Sequence, residues 1–323
     1  MKERNESLDC LKGIAILLVM FGHVQVHNQM TDPYLYDVIK SLQMPLFFLV
    51  SGYLAGAGSR VSTLRQYGER MKKRALAYLV PFFAWLILQH AGNIPGALRT
   101  VLFQLDYGLW FLMVLFLFNL LTCTAQLLEA RMGKERGFWL VWFGGCVLIL
   151  AVYLGGVTFL SPAILVTYLP YYTAAYAAGR HPDILGRIPI RWQRACVYTG
   201  GIVFLGMAAC LDLVTVTGPV MLGVQTAASF LGCLAVVRLV LDWKPCRAKK
   251  HLAWLGLYTL EIYVVHYHFA AVFRPEGGAP AFWSIQGLAY SAAAFAFMSA
   301  VTAALVWLIG RIPPLKRLLF GKK

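Results

Sequence analysis

Apolar residues occur along the whole chain in long runs that short polar segments separate. Because a helix of about 20 apolar residues crosses a hydrocarbon core about 30 Å thick, each run predicts one transmembrane helix. The predicted helices cover residues 9–27, 36–57, 75–92, 107–129, 138–156, 162–179, 195–213, 219–241, 252–273 and 284–310. The pattern predicts an all-α, polytopic transmembrane helical bundle of about ten helices. We expect a single domain over residues 1–323, with no appended soluble domain.

The charge of the connecting segments predicts the orientation of the bundle. Of the 29 lysines and arginines, 26 fall in segments that the predicted helices place on one side, and Lys40, Arg99 and Arg274 fall on the other. Lysine and arginine are enriched in cytoplasmic loops, so the sequence predicts a multi-pass protein of the cell (plasma or inner) membrane with both termini in the cytoplasm. The apolar run 13–26 has no small-residue cleavage site after it, which favours a retained first helix over a signal peptide.

The composition agrees with this interpretation and excludes several classes. The chain is 59% hydrophobic and only 13% charged, whereas soluble domains are about 25% charged. Topology explains the net charge of +15, so we expect no nucleic acid as a partner. The seven cysteines are scattered without metal-ligand spacing, so we expect no metal. The tail 315–323 is both basic and apolar, and is expected to rest on anionic membrane lipids.

Three ionisable residues lie in the first predicted helix, where burial in lipid is costly. At about 100° per residue, Asp9, Lys12 and His23 share one face, and Asp9 can pair with Lys12 at i,i+3. His23 lies about 16 Å beyond Lys12 along the axis, well into the membrane. The alternative is that Asp9 and Lys12 only cap the helix and that His23 only packs.

The second predicted helix leads into a basic segment. Pro45 and Gly52 are expected to interrupt this helix, with Ser51 satisfying the freed backbone groups. The following loop, 60–74, holds a cluster that would suit a phosphate-bearing ligand at the cytoplasmic mouth: Arg70, Lys72, Lys73 and Arg74. A simple topological anchor is the alternative for each of these residues.

Two further stretches carry polar residues next to apolar helices. Trp110 opens the fourth helix after an outer loop that contains Asp106. In the ninth helix, one predicted stripe contains Tyr258, Glu261, Val265 and His268. His266 points elsewhere, with Ile262 and Tyr263. Glu261 is either part of an active site or a structural partner for Lys12.

These motifs, in this order, resemble those of acyltransferase family 3, bacterial integral-membrane O-acyltransferases. The resemblance runs from Asp9 to Arg311 and rests on five motifs: Asp9…Lys12-x10-His23, Met44-Pro-Leu-Phe-Phe…Ser51-Gly, the basic cluster before Val80-Pro81, Leu109-Trp-Phe-Leu, and Leu255-Gly…Leu260-Glu-Ile-Tyr…His266. It implies transfer of an acyl group, often acetyl, from cytoplasmic acyl-CoA to a hydroxyl of an extracytoplasmic or lipid-linked glycan. It also implies that His23 is the catalytic histidine and that basic residues after the second helix hold the CoA phosphates.

The chain departs from the family pattern at two places. Lys12 stands where the family commonly has arginine, which keeps the charge and loses the bidentate geometry. The Arg-x-x-Arg pair before the proline is imperfect, because Lys73 follows Arg70 and Ala77 follows Arg74 at that spacing. Which of the basic residues touch CoA is therefore left open.

Together these features give the hypothesis of an acetyl-CoA-dependent O-acetyltransferase. His23 either deprotonates the acceptor hydroxyl or carries the acyl group transiently, and Glu261 or Asp9 orients its imidazole. The CoA-binding candidates are Lys12, Arg70, Lys72, Lys73 and Arg74. The substrate-binding candidates are Ser51, Asp106, Trp110, Tyr258, His266 and His268.

Other classes remain open at this point. A transporter or flippase of a glycan or lipid would also use buried charges and a broken second helix. A catalytically inactive scaffold or sensor would neither bind nor consume CoA. A homo-oligomer is compatible with either class.

Overall fold

The computed structural model describes residues 5–215, 218–271 and 278–322, and its regular elements in these ranges are helical. In the first half of the chain the helices are α1 (Glu6–His27), α2 (Pro33–Ala57), α3 (Leu64–Arg74), α4 (Val80–Gln89), α5 (Ile94–Phe103), α6 (Trp110–Met132), α7 (Glu135–Leu154) and α8 (Pro162–Arg180). In the second half they are α9 (Pro182–Gly186), α10 (Ile190–Cys210), α11 (Pro219–Asp242), α12 (Arg247–Leu255), α13 (Thr259–His266), α14 (Ile285–Arg311) and α15 (Pro313–Phe320). Arg274, predicted on the outer side, lies outside the described residues.

Within the described ranges, six helices are long and apolar enough to cross a membrane: α1, α2, α6, α7, α11 and α14. The predicted class, an all-α membrane bundle, is therefore confirmed. The helix number of ten and the orientation of the termini stay predictions.

The segments between the predicted spans contain more helix than their polarity indicated. The predicted loop 60–74 contains α3, whose first turn is capped by the Thr63 hydroxyl, which accepts from the Gln66 backbone N–H. A π turn over Ala75–Leu79 joins α3 to α4. The predicted outer loop 92–106 likewise contains α5, which the Asn93 side chain caps.

The second predicted helix is not interrupted, so that part of the prediction is wrong. α2 continues as one helix past both Pro45 and Gly52. A Cβ at Gly52 would overlap the backbone of Tyr172 on α8, which indicates that this glycine allows close helix packing rather than a break.

The ninth predicted helix, by contrast, is divided. α12 ends at Leu255 and α13 begins at Thr259, with a turn between them. A Cβ at Gly256 would overlap the carbonyl of Asp9, and a Cβ at Gly13 would overlap that of Leu252. The contact between α1 and α12 therefore depends on two glycines that let the backbones touch.

The contacts divide the chain into two compact units, residues 1–51 with 181–308 and residues 52–180 with 309–323. In the first unit, α1 packs against α11, α12 and α13, and α10 packs against α11. In the second unit, α6 packs against α3, α7 and α8, and α4 packs against α15. The single acyltransferase domain of the sequence analysis stays a prediction.

The end of the C-terminal tail packs on α4, and its predicted contact with lipid headgroups stays a prediction. The side chains of Leu319 and Phe320 are buried, and the Trp85 indole on α4 donates to the Leu319 carbonyl at 3.0 Å. These two apolar residues of the tail therefore pack against protein, whereas Leu315 and Leu318 are exposed.

Candidate active site

In the first unit, α1 begins with the predicted ion pair. The Lys12 ammonium lies 2.6 Å from the Asp9 carboxylate, which confirms the i,i+3 pairing. Asp9 is buried, and its backbone carbonyl packs against Gly256 at the turn before α13. This pair therefore lies where α1 contacts the divided ninth segment.

His23 lies farther along α1 among three other aromatic rings. Its ring centroid is 5.7 Å from that of His27, 5.3 Å from that of His266 and 5.1 Å from that of Tyr267. His27 follows His23 by one helical turn, while His266 and Tyr267 come from the end of α13 and the 3₁₀ turn after it. We call these four residues the histidine cluster.

His266 is the most deeply buried member of the cluster, with 1% of its surface exposed. Its Nδ1 lies 2.8 Å from the backbone carbonyl of Ile262. Because a carbonyl only accepts, Nδ1 carries the proton, and in the neutral ring Nε2 keeps a lone pair. This Nε2 is buried and has no hydrogen-bond partner among the described residues.

Asp9, one of the two carboxylates predicted to orient His23, is not brought to it. Asp9 is fourteen positions away on the same helix, a rise of about 21 Å, so its carboxylate does not reach the His23 ring. Glu261 is buried in the first turn of α13. Tyr258 caps α13, since the Ile262 N–H donates to its carbonyl, and His268 lies in the 3₁₀ turn that follows the helix. The chain turns where Gly256 meets α1, a contact that periodicity along one helix cannot show.

The second unit contains a cavity of about 440 Å³ bordered by α2, α3 and α6. Its lining residues are Leu54, Ala55, Gly58, Ser59, Arg70, Lys73, Arg74, Asn119, Thr122, Cys123 and Gln126. Three of these side chains are cationic, and none of the lining residues that the structure describes is acidic. We call this space the basic cavity.

The three cations of the basic cavity are held differently. The Arg70 guanidinium donates to the backbone carbonyl and to the hydroxyl of Ser59, both at 2.8 Å. Arg74 donates to the Tyr78 hydroxyl at 3.1 Å. Lys73 has no ion-pair partner in the part of the chain that the structure describes. An anion in the cavity would therefore meet cations that no cavity-lining carboxylate neutralises.

The floor of the basic cavity is a row of polar residues on α6 that the sequence analysis missed. Thr122 donates its proton to the Phe118 carbonyl, so the buried Tyr172 hydroxyl must donate to Thr122, at 3.1 Å. Gln126 donates to the Tyr176 hydroxyl at 3.1 Å and accepts from the Val61 N–H at 3.2 Å. The signal was present, because Asn119, Thr122, Cys123 and Gln126 recur at helical spacing in an otherwise apolar helix.

An acidic residue lies one turn beyond this row, but it is already paired. Arg180 donates to both oxygens of Glu129, at 3.0 and 2.5 Å. Arg60 also reaches Glu129, at 3.3 Å. These two arginines keep the one nearby carboxylate of α6 from opposing an anion in the basic cavity.

The remaining predicted residues lie elsewhere. Lys72 borders a separate apolar groove with Leu76 and Leu318 rather than the basic cavity. Ser51 is half-buried in α2. Asp106 is exposed in a 3₁₀ turn, and Trp110 stacks on Tyr168 with ring centroids 5.1 Å apart. The roles predicted for these residues stay predictions.

In comparisons with known proteins, one family profile matches nearly the whole chain. The profile of a family described as an acyltransferase domain, acyltransferase 3, matches residues 5–311. The chain is 34% identical over 101 residues to nodulation protein NolL of Sinorhizobium fredii, which is 29% of this chain and 26% of the relative. It is 31% identical over 147 residues to nodulation protein NolL of Mesorhizobium japonicum, 43% of this chain and 33% of the relative. The chain thus spans about a quarter to a third of these curated relatives, and no solved structure matches it.

Proposed function

Because the chain belongs to acyltransferase family 3, we propose that it is a membrane-embedded O-acyltransferase that uses cytoplasmic acyl-CoA, most simply acetyl-CoA. The acceptor is a hydroxyl of a glycan, a glycolipid or another extracytoplasmic molecule. The observation that carries this proposal is the basic cavity, in which three cationic side chains meet no cavity-lining carboxylate.

The donor's phosphates are the groups that such a cavity would hold. Arg70 is fixed by two hydrogen bonds to Ser59, so its guanidinium loses little further freedom when it binds an anion. Lys73 and Arg74 add two charges beside it. The polar floor, with Asn119 and Thr122, offers neutral hydrogen-bonding groups to the uncharged parts of the same donor.

His23 is the residue that supports acyl transfer. As general base it would take the proton of the acceptor hydroxyl while the oxygen attacks the thioester carbonyl. A carbon–oxygen bond then forms, the carbon–sulfur bond breaks, and CoA leaves as a thiolate. In the alternative route, His23 itself attacks, carries the acyl group and passes it to the acceptor. Both routes need the same imidazole, so they share one mutational test.

The ion pair of α1 is given a supporting role in this proposal. Lys12 is held by Asp9, about 16 Å along the helix from His23. Lys12 remains a candidate for contact with the donor. Glu261 remains a second candidate for orienting groups around His23.

The transporter alternative loses one of its supports. It drew on a broken second helix, and α2 is continuous through Pro45 and Gly52. Transporters commonly bind their substrates with discontinuous helices. In this chain the discontinuous helix is the ninth predicted one, which is divided into α12 and α13, and not the second.

A thermal shift measurement on the detergent-solubilised protein tests the proposed donor. Added CoA should raise the Tm saturably, because a ligand at about 100 times its Kd stabilises the native state by about 2.7 kcal/mol. CoA that lacks its 3′-phosphate should need a higher concentration for the same shift. The absence of any CoA-dependent shift would contradict the proposal and favour transport.

A further inference from the structure

The Nε2 atom of His266 is a buried hydrogen-bond acceptor that the fold leaves unused. The ring is 1% exposed, and the bond from Nδ1 to the Ile262 carbonyl fixes which nitrogen carries the proton. A buried polar atom without a hydrogen-bond partner destabilises the folded state. A buried acceptor of this kind is therefore a candidate for a contact made during function.

The His23 ring is the neighbour that can supply this partner. Two imidazoles joined by an N–H···N hydrogen bond of about 2.9 Å have ring centroids roughly 5 Å apart. The centroids of His23 and His266 are 5.3 Å apart, and the ring planes are inclined by 47°. No hydrogen bond joins the two rings in this structure, and a modest rotation of the half-buried His23 side chain would form one.

The other groups around His23 fit this role less well. Tyr267 lies edge-on to the His23 ring, at 85°, and is half exposed. His27 shares the helix with His23 and has its ring 5.7 Å away. Asp9, the carboxylate of the same helix, is about 21 Å distant along the axis.

We propose that His266 is a positioning residue for His23, an inference that rests on the proposed acyltransferase function. Its Nε2 accepts a hydrogen bond from one ring N–H of His23, which fixes the tautomer of His23 and turns its other nitrogen, with a free lone pair, toward the acceptor hydroxyl. When His23 takes the hydroxyl proton, the same bond becomes charge-assisted and stabilises the imidazolium. His266 thus does with a neutral imidazole what a carboxylate does in the hydrolase triads.

Two isosteric substitutions separate this role from a structural one. In His266→Asn, the amide nitrogen replaces Nδ1 and keeps the bond to Ile262, but nothing replaces Nε2. In His266→Gln, the longer side chain places an acceptor oxygen at the position of Nε2 and loses the bond to Ile262. Positioning predicts that Asn is the more harmful change, and a packing role predicts that Gln is.

The assay measures acetyl transfer from acetyl-CoA to n-octyl glucoside by the purified protein in liposomes, together with Tm and CoA affinity. His266→Asn should lower kcat by roughly a hundredfold or more, with Tm and CoA affinity unchanged, and His266→Gln should retain more activity. His251→Asn, a change of an exposed histidine on α12, is the matched control and should behave as wild type.

The outcomes distinguish the two claims. Wild-type kcat in His266→Asn, or a larger loss in His266→Gln with a lowered Tm, overturns the positioning role while the proposed function stands. Wild-type protein that neither binds CoA nor transfers acetyl overturns the proposed function, and the inference with it.

Discussion

Two adjacent lysines of α3 show how much the direction of a side chain decides. Lys72 and Lys73 have the same charge and the same exposed position on one helix. Lys73 borders the basic cavity, with Arg70 and Arg74, whereas Lys72 borders an apolar groove. Consecutive residues on a helix point about 100° apart, so only one of the two can face a bound anion.

Replacing each lysine by alanine tests this assignment. Both substitutions remove one positive charge, so a difference between them reports the position of the side chain. Lys73→Ala should weaken CoA binding roughly tenfold, because a charge-assisted contact to phosphate is lost. Lys72→Ala should change the Kd much less, through long-range charge alone. The measurement is CoA affinity by calorimetry in detergent at fixed salt. Equal losses in the two variants would show that the cluster acts only as diffuse positive charge.

At the same scale, the sequence predicts contacts between residues of one helix, but not contacts between residues that are distant along the chain. The Asp9–Lys12 pair follows from helical spacing alone, since both residues lie on one turn. The approach of His266 to His23 joins residues that are 243 positions apart, and no local pattern encodes it. The polar residues that line the basic cavity recur with a helical period in α6, although the hydropathy of this segment predicts only an apolar span.

Among the elements, the contact between α1 and α12 depends on glycine. Added methyl groups at Gly13 and Gly256 would overlap the backbones of Leu252 and Asp9. This contact positions the turn before α13. It therefore positions α13 itself, which carries Glu261 near its start and His266 at its end.

Gly13→Ala should consequently destabilise the protein by about 1–3 kcal/mol, the usual cost of overpacking. Gly206→Ala is the matched control, because that helical glycine of α10 has open space around it. There the methyl group should leave stability unchanged or raise it slightly, since alanine is the better helix former. Thermal unfolding in detergent measures both, and an unchanged Tm in Gly13→Ala would show that α12 can move away from α1.

Hydropathy predicted the long elements and missed the short ones for a physical reason. A window of about 20 residues detects α1, α6 and α7 because lipid requires that length. α3 is eleven residues long and rich in charge, so it reads as a loop, although Thr63 and the basic last turn are normal helix ends. The break after α12 is set by packing against α1, which composition does not report.

On the scale of the whole molecule, the chain belongs to acyltransferase family 3 and to the class of helical membrane proteins. The 26 charges of one side predict cytoplasmic termini. The same count predicts that the basic cavity, which three of these charges line, lies on the cytoplasmic side.

The central claim is that His23 carries out acyl transfer from a CoA donor. Purified protein in liposomes, supplied with radiolabelled acetyl-CoA and n-octyl glucoside, measures it directly. The account predicts that wild-type protein labels the glucoside and that His23→Ala loses at least about a hundredfold in rate while it binds CoA with unchanged affinity. A His23→Ala protein that transfers acetyl at the wild-type rate would contradict the account.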